Sequence, residues 1–379
     1  MTDIKKRPNI IFIMTDEQRF DNIGYANPQV ITPNLDKLAG ESVVFNRAYA
    51  PNPSCVPARA AIYTGKYPHQ CHAPTFTTYL PETEKTFMSY LQEEGYYTAV
   101  TGKQHFGKSS IYKGYDYEDI IDCHGPNGFN FNNPQNSYHK FLKKAGFKTA
   151  NELIERRNNF LCDWKVDQKY HVDHFVGEQA TKWLKNQRPE DKPWFYWISF
   201  PGPHTPIDCI NLPQADLYDE DDIDLPQTYL EDLKDKPPHY MDKHGNKGPV
   251  DQELTESDFK KLRKAYYANM TLIDEKVGEI IDTLKEIEEY DNTMIVYLTD
   301  HGDFLGDFNR IGKAQFVSEV LMHIPFFIKP PLKDYNGKTE SSLVSSIDAT
   351  ATSLAVAGRE IPEDMAARDL SYYWESNDD

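Results

Sequence analysis

Short apolar runs recur along the chain, and each has the length of a buried strand. The runs are NIIFIMT (9–15), YYTAVT (96–101), WFYWISF (194–200), TMIVYLT (293–299) and PFFIKP (325–330). Continuous rather than alternating apolar residues are typical of strands covered on both faces, as in parallel sheets. The pattern therefore predicts a mostly parallel sheet as the centre of the fold.

Segments with helical spacing of apolar residues lie between these runs. They are residues 35–41, 86–95, 171–187 and the longest, 256–289. Alternation of strands and helices indicates an α/β fold with helices on both faces of the sheet. No linker, low-complexity tract or repeat divides the chain, so we expect one catalytic domain over residues 1–379. Loop insertions at about 107–175 and 207–250 are expected to choose the substrate.

Residues 53–65, PSCVPARAAIYTG, place a cysteine at the start of a predicted helix. Pro57 suits a first helical turn, and the alanine-rich segment after it favours a helix. The unpaired N–H groups and the dipole of this helix end favour negative charge, and Arg59 lies about one turn further on. The pattern predicts an activated thiol at Cys55. A half-buried capping thiol is the alternative that these residues alone leave open.

Polar side chains follow four of the predicted strands at their carboxyl ends. They are, in chain order, Asp16 and Glu17, Lys103 and His105, His204, and Asp300 and His301. Ligands of open α/β sheets bind beyond these strand ends, so the side chains should meet at one edge. Carboxylate and imidazole groups suit a divalent cation such as Ca²⁺, Mg²⁺ or Mn²⁺. Lysine and arginine beside such an ion suit a tetrahedral oxyanion ester.

Composition narrows the class of partner. The chain has 41 Lys and Arg against 59 Asp and Glu, a net charge of −18, which argues against nucleic acid and an anionic membrane surface. An anionic substrate therefore needs a local cationic cluster.

The 5 cysteines are widely spaced without a CxxC pair, so neither a disulfide framework nor a zinc finger is indicated. The first apolar run is too short for a signal peptide, and a cytoplasmic location is expected.

Together these blocks resemble the type I, formylglycine-dependent sulfatases of the alkaline-phosphatase superfamily. The similar blocks are PNIIFIMTDEQ, CVPARAAIYTG, GYYTAVTGKQHFG, GPHTP, LTDHGDFLGDFNRIGK and SSIDATATSLAVAG. The segment from Cys55 to Arg59 satisfies the family signature of cysteine, any residue, proline, any residue, arginine. The resemblance implies an alkaline-phosphatase-like core. The family's small antiparallel C-terminal subdomain is expected to be absent or truncated here.

The resemblance also implies a chemistry. A formylglycine-generating maturation enzyme would convert Cys55 to formylglycine, the nucleophile toward a small-molecule or saccharide sulfate ester. One divalent ion, Ca²⁺ first and Mg²⁺ or Mn²⁺ as alternatives, would be held by Asp16, Asp300, His301 and residue 55. The resemblance also implies that Arg59 and Lys103 stabilise the hydrate and the charged oxygens, and that Lys313 contacts the substrate oxyanion. His204 and Lys313 would protonate the leaving oxygen. His105 would remove the proton of the second hydroxyl.

Three departures from the family pattern keep alternatives open. Glu17 stands where the family has a second aspartate, so it is a further candidate metal ligand. Ala58 replaces the usual serine, so conversion of Cys55 depends on the maturation enzyme. The Asp300-His301 pair also occurs in choline and iduronate sulfatases and in phosphonate monoester hydrolases. A phosphonate monoester or phosphodiester hydrolase is therefore the alternative enzyme, and an inactive ligand-binding relative is a further alternative.

Overall fold

The strand β1 (Asn9–Thr15) forms the middle of the molecule, and all seven of its residues are buried. The computed structural model describes residues 7–106, 114–121, 136–158, 160–228, 230–238, 254–313 and 315–375. Parts of the two expected insertions, residues 107–113, 122–135 and 239–250, lie outside the described residues. The domain division proposed from the sequence stays a prediction.

Seven further strands extend the sheet around β1. They are β2 (Val43–Phe45), β4 (Tyr97–Gly102), β5 (Tyr117–Ile120), β8 (Trp194–Ser199), β9 (Thr293–Thr299), β10 (Phe327–Lys329) and β11 (Lys338–Glu340). Their order is β11-β2-β10-β9-β1-β8-β4-β5. Every neighbouring pair is parallel except the two pairs that include β10. The predicted mostly parallel sheet is confirmed.

Two strands differ from the sequence-based expectation. The run 325–330 yields only the three residues of β10, which lies antiparallel to β9 with Phe327 opposite Tyr297. Its apolar residues are buried either way, so the pattern did not reveal its direction. Strand β5 was not predicted, because its sequence YEDI is half-exposed at the sheet edge and carries two acidic residues. It lies within 107–175, so that range contributes an edge strand as well as loops.

Shorter strands pair outside the central sheet. They are β3 (Ala48–Tyr49) with β12 (Val344–Ser345), and β6 (Ile154–Arg156) with β7 (Cys162–Trp164). The helices are α1 (Pro33–Gly40), α2 (Cys55–Thr64), α3 (Phe87–Glu93), α4 (Ser137–Lys144), α5 (Val172–Asn186), α6 (Glu256–Glu286), α7 (Glu319–Met322), α8 (Asp348–Val356) and α9 (Tyr372–Glu375). No helix in the described ranges is both long and apolar enough to span a bilayer.

Helices cover both faces of the sheet, as the alternating side chains of β1 show. Ile11 and Ile13 belong to a core that includes residues of α1, α5 and α6. Ile10, Phe12 and Met14 belong to a second core that includes residues of α2, α3 and α8. Because both faces are buried, β1 has no polar alternation, which explains its continuous apolar sequence. The sheet thus presents one polar edge, at the carboxyl ends of its parallel strands.

The long helix α6 begins at a capping box. The side chain of Thr255 accepts from the backbone N–H of Asp258, and the carboxylate of Asp258 accepts from the backbone N–H of Thr255. Such reciprocal bonds satisfy two donors at a helix start. Helix α2 ends at Gly65, whose φ of 67° is the left-handed conformation that glycine adopts most readily. These local signals fix the start of α6 and the end of α2.

Candidate active site

Four potential metal ligands meet where β1 and β9 end and α2 begins. Asp16 follows β1, Asp300 and His301 follow β9, and Cys55 is the first residue of α2. One ligand atom from each lies within 4.8 Å of the others, and all four residues are fully buried. The strand ends predicted to converge do converge here.

Arg59 holds the two carboxylates of this cluster together. Its Nε donates to Asp300 Oδ2 and its Nη2 to Asp16 Oδ2, both at 2.8 Å. The third nitrogen, Nη1, donates to the carbonyl of Lys103 at 2.8 Å and to Ser199 Oγ at 3.1 Å. Burial would lower the pKa of Arg59, but Asp300 and Asp16 outweigh burial and raise it further. The guanidinium therefore stays charged and ties the ends of four strands to α2.

The sulfur of Cys55 faces positive groups. It lies 3.2 Å from His301 Nε2 and 3.9 Å from Asp16 Oδ1. Burial would raise the pKa of Cys55, but the charges of Lys313, Lys103 and His301 outweigh it and hold the pKa well below the usual value. The surroundings of residue 55 therefore favour a nucleophilic atom at this position. They support the prediction of an activated thiol over the alternative of a half-buried capping thiol.

The donor set fits a divalent cation. The carbonyl of Gly302 accepts from His301 Nδ1 at 2.8 Å, so in the neutral ring the lone pair lies on Nε2, which faces Cys55. Two carboxylates, one imidazole and residue 55 then surround one point. Without a cation, carboxylates this close repel each other, and the charges of Arg59 and Lys103 offset that repulsion.

A second group lies beside the first and joins Glu17, His204 and Lys313. Lys313 Nζ is 3.1 Å from Glu17 Oε2 and 2.6 Å from His204 Nε2. His204 Nε2 is 3.1 Å from the same Glu17 oxygen. The structure thus directs the Glu17 side chain to Lys313 and His204, while its backbone N–H donates to Asp300 Oδ1 at 3.0 Å. The assignment of Glu17 as a metal ligand stays a prediction.

Charge within this second group is unevenly distributed. Burial, together with the charges of Lys313 and Lys103, lowers the pKa of His204 to about 3. Burial would also lower the pKa of Lys313, but the negative charges of Cys55, Glu17 and Asp16 outweigh it and raise that pKa. At neutral pH the proton therefore resides on Lys313, and His204 is neutral.

Lys103 enters the site through a close approach of two strands. Gly102 has φ of 99°, and a Cβ at this position would lie 1.9 Å from the carbonyl oxygen of Ser199. Only glycine allows this approach, which lets the N–H of Lys103 donate to the same carbonyl at 2.9 Å. The Nζ of Lys103 then pairs with Asp16 Oδ2.

Two site residues have a backbone conformation that costs energy. Glu17 has φ of 66° and His105 has φ of 48°. Left-handed conformations in residues other than glycine cost about 1–3 kcal/mol and cluster at functional sites. His105 lies near enough to Cys55 to contribute to lowering the pKa of the thiol, and its ring contacts the edge of Phe76 with centroids 5.7 Å apart. Phe76 is 45% exposed, so an apolar ring borders the site.

The structure brings all ten predicted site residues into one connected set of contacts. Their chemical roles stay predictions. Sequence reasoning missed Ser199, Gly302 and Phe76 as neighbours of these residues. Ser199 ends a predicted strand and Gly302 follows the Asp-His pair, so position along the chain would have identified both. Phe76 lies in a segment without periodic pattern, and no sequence signal points to it.

The expected cationic cluster is charge-balanced. Arg59, Lys103 and Lys313 each pair with at least one carboxylate among Asp16, Glu17 and Asp300. The sequence had suggested an excess of positive groups, because the carboxylates were assigned only to the metal. A bound divalent cation would restore a net positive charge around residue 55.

Comparison with known proteins identifies similar chains. The family model described as Sulfatase matches residues 8–359. An arylsulfatase of Clostridium perfringens is 28% identical over 96% of this chain and 78% of its own length. A choline-sulfatase of Rhizobium meliloti is 28% identical over 94% of this chain and 69% of its own length. The chain spans about two thirds of some curated relatives, 65% for an ulvan-active sulfatase of Formosa agariphila.

Solved structures share the fold. A phosphonate monoester hydrolase of Agrobacterium radiobacter superposes with a TM-score of 0.83 at 20% identity, over 97% of this chain and 77% of that one. A protein solved with its substrate D-glucosamine-2-N,6-O-disulfate superposes with a TM-score of 0.72 at 23% identity, over 96% of this chain and 79% of that one. Likeness at these identities supports the alkaline-phosphatase-like fold.

The Arg59 contacts lead to a stability prediction. In metal-free protein, kept so by a chelator, Arg59→Lys should lower the free energy of unfolding by about 3 kcal/mol. The reason is that one ammonium group cannot reach both carboxylates and the Lys103 carbonyl. Urea unfolding measures this change. Arg359→Lys, which alters partly exposed ion pairs with Glu93 and Glu94, is the control and should change stability by about 0.5 kcal/mol or less. Equal stability of the two variants would contradict the bridging role of Arg59.

Proposed function

The chain belongs to the sulfatase family, and from that premise we propose that it hydrolyses a sulfate ester with a nucleophile made from Cys55. The predicted family and type of enzyme are confirmed by the match over residues 8–359 and by the relatives, and the fold class by the sheet and the solved structures. The observation that carries the proposal is the position of Cys55. It lies at the start of α2, in contact with His301, among buried carboxylates and cations.

Residue 55 and its neighbours are suited to formylglycine and one divalent ion. We assign the ion to Asp16, Asp300, His301 and residue 55, with Ca²⁺ as the first candidate because two of the side-chain ligands are carboxylates. When bound, the ion supplies Lewis acidity that favours the ionised form of the nucleophilic oxygen. The aldehyde hydrate of formylglycine supplies that oxygen, and a maturation enzyme is the partner that makes it.

Lys313 is the group best placed to hold the substrate oxyanion and to donate a proton. Its amine keeps its proton, and it borders both Glu17 and His204. His204 accepts from Lys313 through Nε2, because its Nδ1 donates to the carbonyl of Thr205. We therefore assign protonation of the leaving oxygen to Lys313 and orientation of that amine to His204. This division is narrower than the shared role expected from the sequence.

The remaining cations and His105 complete the site. Arg59 fixes the two carboxylates and leaves no nitrogen directed at solvent, so its role is to orient Asp16 and Asp300. Lys103 lies against Asp16 and holds positive charge near the nucleophile. His105 lies near residue 55 and lowers the pKa of its thiol, so it is the candidate base for the hydroxyl proton of the hydrate.

The relatives suggest the substrate class. One relative is named for N-acetylglucosamine-6-O-sulfate chemistry and is 27% identical, and another is a choline-sulfatase. We propose a saccharide or small-molecule sulfate ester for this chain. The exposed ring of Phe76 supports a substrate with an apolar face, because a sugar or aryl face can stack on an aromatic ring.

Turnover on matched esters tests the proposal. The converted enzyme should hydrolyse a sulfate ester with a higher kcat/KM than a phosphonate monoester that has the same leaving group. Cys55→Ala should abolish both activities. Higher kcat/KM on the phosphonate would assign the chain to the alternative hydrolase class. Binding of both esters without turnover in fully converted protein would support an inactive relative.

Metal content tests the ligand assignment. Asp300→Ala should lose both the bound divalent ion and turnover, because a carboxylate of the ligand cluster is removed. Elemental analysis after gel filtration measures the ion. Asp348→Asn changes an equally buried carboxylate in α8 that accepts from Ser345 and Arg368, so it should keep the ion. Full occupancy in Asp300→Ala would contradict the site.

Lys313 is tested by kinetics. Lys313→Ala should lower kcat and kcat/KM together by ~10²-fold or more, because the interaction strengthens in the transition state. Lys276→Ala is the control, since this buried lysine pairs with Glu279 in α6 outside the site. A change confined to KM would indicate uniform binding, and unaltered kinetics would place Lys313 outside the reaction.

A further inference from the structure

A second buried cluster of potential ligands lies outside the proposed active site. It consists of His171, which caps the start of α5, and Asp208 and Cys209, which follow the loop that carries His204. These side chains are almost inaccessible, with residue exposures of 1%, 5% and 0%. None of the three belongs to the set of residues described above around Cys55.

The spacing of the three donor atoms matches a small tetrahedral metal site. His171 Nε2 lies 3.0 Å from Asp208 Oδ1 and 3.4 Å from Cys209 Sγ, and the sulfur lies 3.9 Å from the same oxygen. Zinc bonds of about 2.0 Å to nitrogen and oxygen and about 2.3 Å to sulfur give ligand separations of roughly 3.3–3.6 Å. The observed separations bracket that range, so an ion fits after shifts of a few tenths of an ångström.

A second observation points to a ligand at this position. The other carboxylate oxygen, Asp208 Oδ2, is buried and has no hydrogen-bond partner among the described residues. A buried carboxylate oxygen without a partner costs free energy that a bound cation would recover. Asp208 can thus supply one or both oxygens to an ion that His171 and Cys209 also reach.

The surroundings of His171 can support metal binding. Its Nδ1 accepts from the backbone N–H of Asp173 at 3.2 Å and lies 3.6 Å from Asp173 Oδ2. In the neutral ring Nε2 therefore carries the proton and donates it to Asp208 Oδ1. Binding a metal through Nε2 moves that proton to Nδ1, which gives up the bond from the Asp173 N–H and donates to the Asp173 carboxylate instead, and the thiol proton of Cys209 is released. Asp173 is itself fixed by donors from Gly202 and Asn269.

We propose that His171, Asp208 and Cys209 form a second metal site of the zinc class. A cysteine thiolate among the ligands suits Zn²⁺, whereas the hard cations Ca²⁺ and Mg²⁺ do not favour sulfur ligands. The site would be structural, because its residues are buried and it joins the start of α5 to the segment after Pro206. That segment follows His204 by a few residues, so the ion would stiffen the support of the active-site loop. The proposal does not rest on sulfate-ester hydrolysis.

Cobalt spectroscopy tests the site. Because Cys55 is also a sulfur ligand candidate, the experiment uses the Cys55→Ser protein, freed of metal by chelator and titrated with Co²⁺. We expect a sulfur-to-cobalt charge-transfer band that saturates and that Zn²⁺ removes. Adding Cys209→Ser should abolish the band. Adding Cys71→Ser, which changes a buried thiol in the opposite core, should leave it unaltered.

Two results would overturn the proposal. One is the absence of a charge-transfer band in the Cys55→Ser protein, and the other is a band that persists when Cys209 is also serine. If the Cys209→Ser protein fails to fold by circular dichroism, Asp208→Asn replaces it. That isosteric change should weaken cobalt affinity by ~10-fold or more, and unchanged affinity would equally refute the site.

Discussion

The fork of Arg59 is the interaction on which the rest of the active site depends. Two buried carboxylates at the ends of β1 and β9 would repel each other, and one guanidinium contacts both. The same side chain reaches the carbonyl of Lys103 at the end of β4 and Ser199 at the end of β8. Because Arg59 and Cys55 lie on the same helix, these contacts also fix the position of residue 55. Loss of this guanidinium would leave buried charges without partners, so the site depends on it for both its geometry and its stability.

Charge balance explains how a strongly acidic protein can take an anionic substrate. Three carboxylates in the site face three cationic side chains, so the net charge of these six side chains is close to zero. A divalent ion bound by these ligands would add positive charge next to residue 55, without any long-range positive field. The net charge of −18 then belongs to residues outside the site, and attraction of the substrate is local.

Much of this arrangement could be predicted from the sequence, because strand ends in a parallel sheet meet at one edge. Asp16, Lys103, His204 and Asp300 were placed together on that argument, and the motif around Cys55 added the nucleophile. Directions of side chains could not be predicted. Whether Glu17 turns toward the metal ligands or toward Lys313 depends on its left-handed backbone and on contacts made by segments far away in the chain.

The edge of the sheet and the second cluster show a further limit. Strand β5 is short and half-exposed, so its apolar signal is weak, and the direction of β10 depends on its neighbours rather than on its own residues. His171 and Cys209 lie far apart in the chain with no recognisable spacing between them. Only the packing of α5 against the segment after His204 brings them together.

The central claim is that Cys55 becomes the nucleophile by conversion to formylglycine. The most direct measurement is the mass of the peptide that contains residue 55, from protein produced with and without a maturation enzyme, alongside turnover of a sulfate ester. Conversion replaces the thiol by an aldehyde, so we predict a loss of about 18 Da and turnover in proportion to the converted fraction. Full turnover from protein whose peptide retains the unmodified cysteine mass would contradict the account.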